Sequence, residues 1–165
     1  MKYFLLIAVV LVATSCKRHT TTETFAAADS VKVQREHAPE INLFAIGGDT
    51  LRLGAIHERT ILILFAPDCD HCQREATEIS KHQELFKDYK LYFVAADQPP
   101  VIKGFSEKYG LSNWPNATFA RGDIAPVMTA FKPTTMPAIL IYDDNGLLVK
   151  RFDGETPVLN IVEFL

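Results

Sequence analysis

Leu62-Ile63-Leu64-Phe65-Ala66-Pro67-Asp68-Cys69-Asp70-His71-Cys72-Gln73-Arg74-Glu75 is the stretch that decides the fold. An apolar run breaks at Pro67, and two cysteines follow with two residues between them. A longer polar-apolar pattern continues beyond Cys72. The pattern reads as a buried strand, a tight turn and the N-terminus of a helix carrying a C-x-x-C pair. That placement matters for the chemistry. A thiol is a nucleophile only as its thiolate, and the unpaired N–H groups and dipole of a helix N-terminus stabilise a negative sulfur. Two intervening residues also let the second sulfur reach the first, so the pair can cycle between dithiol and disulfide.

Working outward, strand-like and helix-like segments follow one another. Ile41 and Leu43 face Leu51 and Leu53 around Gly47-Gly48-Asp49, a hairpin signal. Ile61 to Phe65 is a continuous apolar run of strand length, expected to be a central strand buried on both faces. The helix opening near Cys69 puts Ala76, Ile79, Leu85 and Phe86 on an inner stripe and is expected to end near Tyr89. Leu91 to Ala95 is the next buried strand, which closes a β-α-β unit. After Asp97-Gln98-Pro99-Pro100, Val101 to Tyr109 reads as a second helix stopped by Gly110. Leu111 to Ala125 is weakly patterned, with a short strand at Thr118-Phe119, and Pro126 to Phe131 reads as a short helix. Ala138 to Tyr142 and Leu147 to Phe152 are paired strands around Asp143-Asp144-Asn145-Gly146, and Pro157 to Leu165 is a terminal helix. Trp114 is assigned to packing. Glu75 is assigned to supporting the first turns of its helix, with a catalytic acid as the other reading.

The chain length of 165 residues fits one domain with a targeting segment to spare. A net charge of −3 gives no electrostatic case for binding nucleic acid or an anionic membrane surface. Three cysteines are too few for a disulfide framework, and two of them form the C-x-x-C pair. The third, Cys16, ends an N-terminal segment with Lys2, an apolar run from Tyr3 to Ala13, and Thr14-Ser15. This is the layout of a secretory signal, and the run is short of the ~20 apolar residues that span a bilayer. Ala13-Thr14-Ser15-Cys16 resembles a bacterial lipobox, which implies that Cys16 becomes the lipidated first residue; Ala13 stands where leucine is commonest. An ordinary cleaved signal with a spare cysteine is the other reading. Residues 1–16 are thus expected to be a signal with lipobox, 17–38 a flexible tether, and 39–165 the folded domain.

Strand, C-x-x-C helix, strand, helix, and Thr135-Met136-Pro137 leading into a hairpin resemble the thioredoxin fold. Gly48-Asp49, Cys72-Gln73-Arg74-Glu75, Lys108-Tyr109-Gly110-Leu111 and Phe131-Lys132-Pro133-Thr134-Thr135-Met136-Pro137 narrow the resemblance. They are similar to the TlpA-like branch of the AhpC/TSA-redoxin superfamily, membrane-tethered thiol-disulfide oxidoreductases. The resemblance covers about Pro39 to Leu165. It implies an α/β, thioredoxin-like fold: a central mixed β-sheet flanked by helices, with an N-terminal β-hairpin extension. It also implies a cis bond before Pro137 and a substrate groove at Thr135, Met136 and Pro137. Three departures stand out. Asp68 replaces the usual tryptophan, Ile63 holds the position of thioredoxin's buried aspartate, and the dipeptide between the cysteines is Asp70-His71.

The roles expected are Cys69 as attacking thiol and Cys72 as resolving thiol. His71 resembles the histidine of strongly oxidising periplasmic enzymes, whereas Asp68 and Asp70 set negative charge beside the sulfur. A zinc half-site lacks a second C-x-x-C, and His71 and Cys16 cannot complete it. Peroxiredoxins carry threonine three residues before their cysteine, where Ala66 stands here. Copper-delivery relatives use a wider C-x-x-x-C. The expected function is an exported, lipid-anchored thiol-disulfide oxidoreductase facing the periplasm, without cofactor, that reduces protein disulfides. Its partners would be protein disulfide substrates and a membrane thiol electron donor. A disulfide-introducing oxidant and a thioredoxin-fold binding module without turnover are the alternatives.

Overall fold

The structure is a computed structural model and describes residues 36–165. The signal segment, Cys16 and most of the expected tether lie outside the described residues. In chain order the elements begin with a hairpin, β1 (Asn42–Ala45) and β2 (Thr50–Arg52), joined through Gly48 at φ 105°. That angle is open to glycine and strained for other residues. Next come β3 (Thr60–Leu64), α1 (Asp70–Ser80), β4 (Lys90–Ala95) and α2 (Pro99–Lys108). The chain closes with β5 (Ala117–Gly122), α3 (Ile124–Phe131), β6 (Ala138–Tyr142), β7 (Leu148–Asp153) and α4 (Val158–Val162).

Seven strands form one mixed sheet in the order β2-β1-β5-β4-β3-β6-β7. β3 runs parallel to β4 and antiparallel to β6. Its central position follows from its lack of a polar face. Ile61 and Ile63, with Phe65 just beyond the strand, enter one core, while Leu62 and Leu64 enter the other. Helices α1, α2 and α4 supply apolar groups to the first core, and α3 with the hairpin residue Leu43 supplies the second. A strand buried on both faces reads as an unbroken apolar run because side chains alternate across the sheet. The expected architecture, a mixed sheet flanked by helices with a hairpin extension, is the one observed.

Local chemistry sets the helix ends. Pro99 and Pro100 open α2, where a missing N–H costs nothing because first-turn N–H groups have no intrahelical partner. Gly110 at φ 69° ends it, with Gly110 N–H donating to the Glu107 carbonyl and Leu111 N–H to the Ser106 carbonyl. Those two bonds are a Schellman closure, and they drive Leu111 to complete burial.

Four expectations need correction. The helix beginning at the cysteines stops at Ser80, well short of Tyr89. Ser80 Oγ donates to the Thr77 carbonyl, and His82 Nδ1 pairs with the Glu78 carbonyl, so side chains satisfy last-turn carbonyls. A 3-10 turn follows, which buries Phe86 and leaves Leu85 41% exposed. The short strand at Thr118-Phe119 is the six-residue β5, extended because β4 pairs with one side and β1 with the other. The terminal helix covers only Val158–Val162. The tether boundary at residue 38 moves back: Leu148 N–H donates to the Glu36 carbonyl, Ala38 N–H to the Gly146 carbonyl, and Ala38 is buried.

Candidate active site

Cys69 is the N-cap residue of α1, and Asp70 is the first residue of the helix. The turn before it is held by Cys69 N–H donating to the Ala66 carbonyl, and by Gln73 Nε2 donating to the Pro67 carbonyl at 2.9 Å. Both cysteines are free thiols, but their surroundings differ. Cys69 is half-buried at the surface. Cys72, one turn on, is 2% exposed and packs into the first core. Burial pushes the Cys72 thiol up to about 12; the adjacent Cys69 sulfur adds to the rise, and a backbone hydrogen bond from Ala66 offsets part of it. Only Cys69 is therefore placed to attack a partner.

The loop opposite joins α3 to β6. The Met136–Pro137 peptide is cis, as the resemblance implies, and Cys69 Sγ lies 3.9 Å from the Met136 carbonyl oxygen. Arg151 of β7 holds the loop's start, donating to the Phe131 and Lys132 carbonyls while pairing with Asp153. Gly154 N–H donates to the Pro137 carbonyl at 2.8 Å, which fixes its end. Thr135 and Met136 line a cleft of about 850 Å³ beside His71. Met136 also lines a second, apolar cleft of about 220 Å³ against Ile124 and Met128 of α3. Pro137 lines neither. It is buried, so of the three residues expected in the groove, Thr135 and Met136 are the two that line the clefts.

Asp68, Asp70 and His71 are all exposed. The His71 ring is held from two sides: Nδ1 lies 2.9 Å from Glu155 Oε2 and 2.7 Å from Arg74 Nη2. Arg74 in turn donates to both Glu155 oxygens, through Nε at 3.0 Å and Nη2 at 2.7 Å. Arg74, with His71 second, holds the Glu155 carboxyl down at about 2. Sequence reasoning missed Glu155 altogether, because it stands 84 residues from His71.

Glu75 departs from its expected role. It is 2% exposed, and its Oε2 accepts the Thr156 N–H at 2.6 Å, a partner from the chain after β7 and not from its own helix. Oε1 is buried with no protein partner. Burial raises the carboxyl to about 7, Thr156 offsets part, and nearby Glu155 and Glu78 add to the rise. Glu75, Cys72, Ile63 and Pro137 line one void of about 10 Å³, room for about one water. The buried carboxyl absent at Ile63 is thus supplied from the helix side. The signal available in sequence was the spacing alone, since Glu75 lies one turn beyond Cys72 on the same face. Among the described residues, no group of three or more His, Cys, Asp or Glu side chains is placed to hold a metal ion.

Comparison with solved structures places the fold. Similar structures include MTB DsbF in mixed oxidised and reduced forms, at 21% identity and TM-score 0.64 over 75% of this chain and 91% of that one. A second is the thioredoxin domain of a thiol-disulfide oxidoreductase from Bacteroides vulgatus, at 20% identity and TM-score 0.64 over 78% and 94%. A third is a secreted Mycobacterium tuberculosis disulfide oxidoreductase, at 18% identity and TM-score 0.62 over 76% and 96%. The fold is therefore thioredoxin-like. No curated protein matches the chain in sequence. The AhpC/TSA family model matches residues 35–151, from the first ordered bridge through the C-x-x-C helix and the cis-proline loop into β7. The chain belongs to the AhpC/TSA family.

Proposed function

We propose that the chain is an exported, lipid-anchored thiol-disulfide oxidoreductase that reduces protein disulfides in the cell envelope. The observation that carries this reading is the unequal placement of two free thiols on one helix end, Cys69 at the surface and Cys72 buried. The Cys69 thiolate attacks a substrate disulfide, which forms a mixed disulfide and releases one substrate thiolate. Cys72 then loses its proton and attacks Cys69, which closes the Cys69–Cys72 disulfide and releases the second substrate thiolate. Two electrons have passed to the substrate, and a membrane thiol donor returns two to the protein. Glu75, raised to about 7 and sharing the void with Cys72, is the base that takes the resolving thiol's proton.

Family membership and the neighbours described as thiol-disulfide oxidoreductases support the reaction class. Two clefts meeting at Met136 beside Cys69 suit an extended polypeptide. Negative charge at Asp68 and Asp70 around the helix N-terminus favours the reductase direction, because it disfavours the thiolate form of the reduced pair. The anchor rests on Cys16 and its lipobox. A mature lipoprotein carries more than one acyl chain, which stable attachment requires.

Cys72→Ala expressed in its native compartment is expected to accumulate mixed disulfides on Cys69, visible on non-reducing gels and lost with reductant. Cys69→Ala should give few, because a thiol at about 12 is the poorer nucleophile. Equal adducts from both variants would reverse the assigned roles, and none from either would favour a binder without turnover. For the anchor, Cys16→Ser should leave residues 36–165 folded and shift the protein from the membrane fraction to the soluble one. Retention after a carbonate wash would remove the lipobox assignment. The third expectation concerns pH. With Glu75 near 7 when folded and at its ordinary 4.5 when unfolded, the native state binds more protons between those values. The contribution is full below about 4.5 and disappears as pH rises through about 7. It is worth on the order of 3 kcal/mol. Urea unfolding of Glu75→Gln should lack this slope, and parallel curves for variant and wild type would contradict it.

A further inference from the structure

The contact between Glu155 and the C-x-x-C helix is built more firmly than an exposed ion pair. Its neighbours on both sides are fixed: Gly154 N–H donates to the Pro137 carbonyl, and Thr156 N–H donates to the buried Glu75 carboxyl. Gly154 itself sits at φ 95°, where a Cβ would come within 3.2 Å of Thr135 Oγ1. The backbone thus delivers the Glu155 carboxylate to one place, above the first turn of α1. There it meets the two cationic or cation-forming side chains of that turn, Arg74 and His71.

The His71 ring is held by a choice of two partners. Its Nδ1 is 2.9 Å from Glu155 Oε2 and 2.7 Å from Arg74 Nη2. A ring nitrogen bearing hydrogen donates to the carboxylate, and one bearing a lone pair accepts from the guanidinium. Either way the ring stays on Glu155's side of the helix. The other titratable groups near this cluster are Asp70 in the first turn, Glu75 and Glu78 along the helix, and His82 farther along the same cleft. Thr135 and Met136 of the cis-proline loop and Pro157, Val158 and Leu159 of the following segment contribute no charge to the cleft.

We propose that Glu155 is a positioning residue: by holding His71 and Arg74 against its carboxylate it withholds their charge from Cys69 and makes the Cys69–Cys72 pair more reducing. The inference rests on the redox reading above. A cation beside Cys69 stabilises the thiolate and so the reduced form, and a stabilised reduced form makes a stronger oxidant. A carboxylate bound to those same cations works in the opposite direction. Glu155 thereby quiets the histidine that a sequence reading takes as an oxidant's signature.

The test is the equilibrium of the full chain with glutathione, in which the protein disulfide takes two electrons and two protons from two glutathione thiols, giving the dithiol and one glutathione disulfide. Glu155→Gln is expected to shift the equilibrium constant about three- to fivefold toward the dithiol, a rise of about 14–21 mV. Alkylation of Cys69 should quicken in the same variant. In a His71→Ala, Arg74→Ala background the Glu155→Gln shift should vanish. An unchanged or lowered potential overturns the proposal, as does a shift that persists without His71 and Arg74. A wild-type chain with no reversible dithiol-disulfide equilibrium would instead overturn the redox reading, and this inference with it.

Discussion

A carboxyl group buried to 2% exposure must find a partner or stay neutral, and Glu75 does some of each. One oxygen accepts the Thr156 N–H, and the other has no protein partner. That single hydrogen bond ties the helix bearing the cysteines to the chain leaving β7. The chain leaving β7 is in turn tied to Pro137 through Gly154. The three parts of the site, helix end, cis-proline loop and residues 154–156, are therefore one hydrogen-bonded unit assembled from positions far apart in sequence. The geometry around Cys69 depends on it.

Within that unit the two thiols are made unequal by burial. Desolvation raises Cys72, which lies one turn deeper than Cys69 against the first core. The arrangement supports a division of labour in which one sulfur meets partners and the other acts only after a covalent intermediate has formed. The same burial raises Glu75 into the neutral range, where a carboxyl can both take and give a proton. A single physical cause, burial, thus raises both the Cys72 thiol and the Glu75 carboxyl.

Much of this was legible in the sequence. Ile61 to Phe65 announced a strand without a polar face, and the two cysteines after Pro67 announced a helix start. Pro137 as the cis position followed from resemblance, and the structure has that bond cis. Other features depend on contacts that no local pattern encodes. α1 stops at Ser80 because Ser80 and His82 turn back onto its carbonyls, although the apolar stripe reads on to Phe86. β5 is long because strands on both sides extend it. Glu75 read as support for its own helix because its partner, Thr156, lies 81 positions away, and Glu155 carried no signal for the same reason. Pro137 lines the small void it shares with Cys72 and Glu75 and is absent from the two surface clefts, a placement that local sequence does not encode.

The central claim is that Cys69 and Cys72 form one reversible two-electron pair. The most direct test treats the fully reduced chain with glutathione disulfide, quenches in acid, alkylates, and maps the cysteine peptides by mass spectrometry. Both thiols are expected to disappear together into a peptide pair linked Cys69 to Cys72, and dithiothreitol should restore both. Stable glutathione adducts on Cys69 with Cys72 left as a free thiol would contradict it.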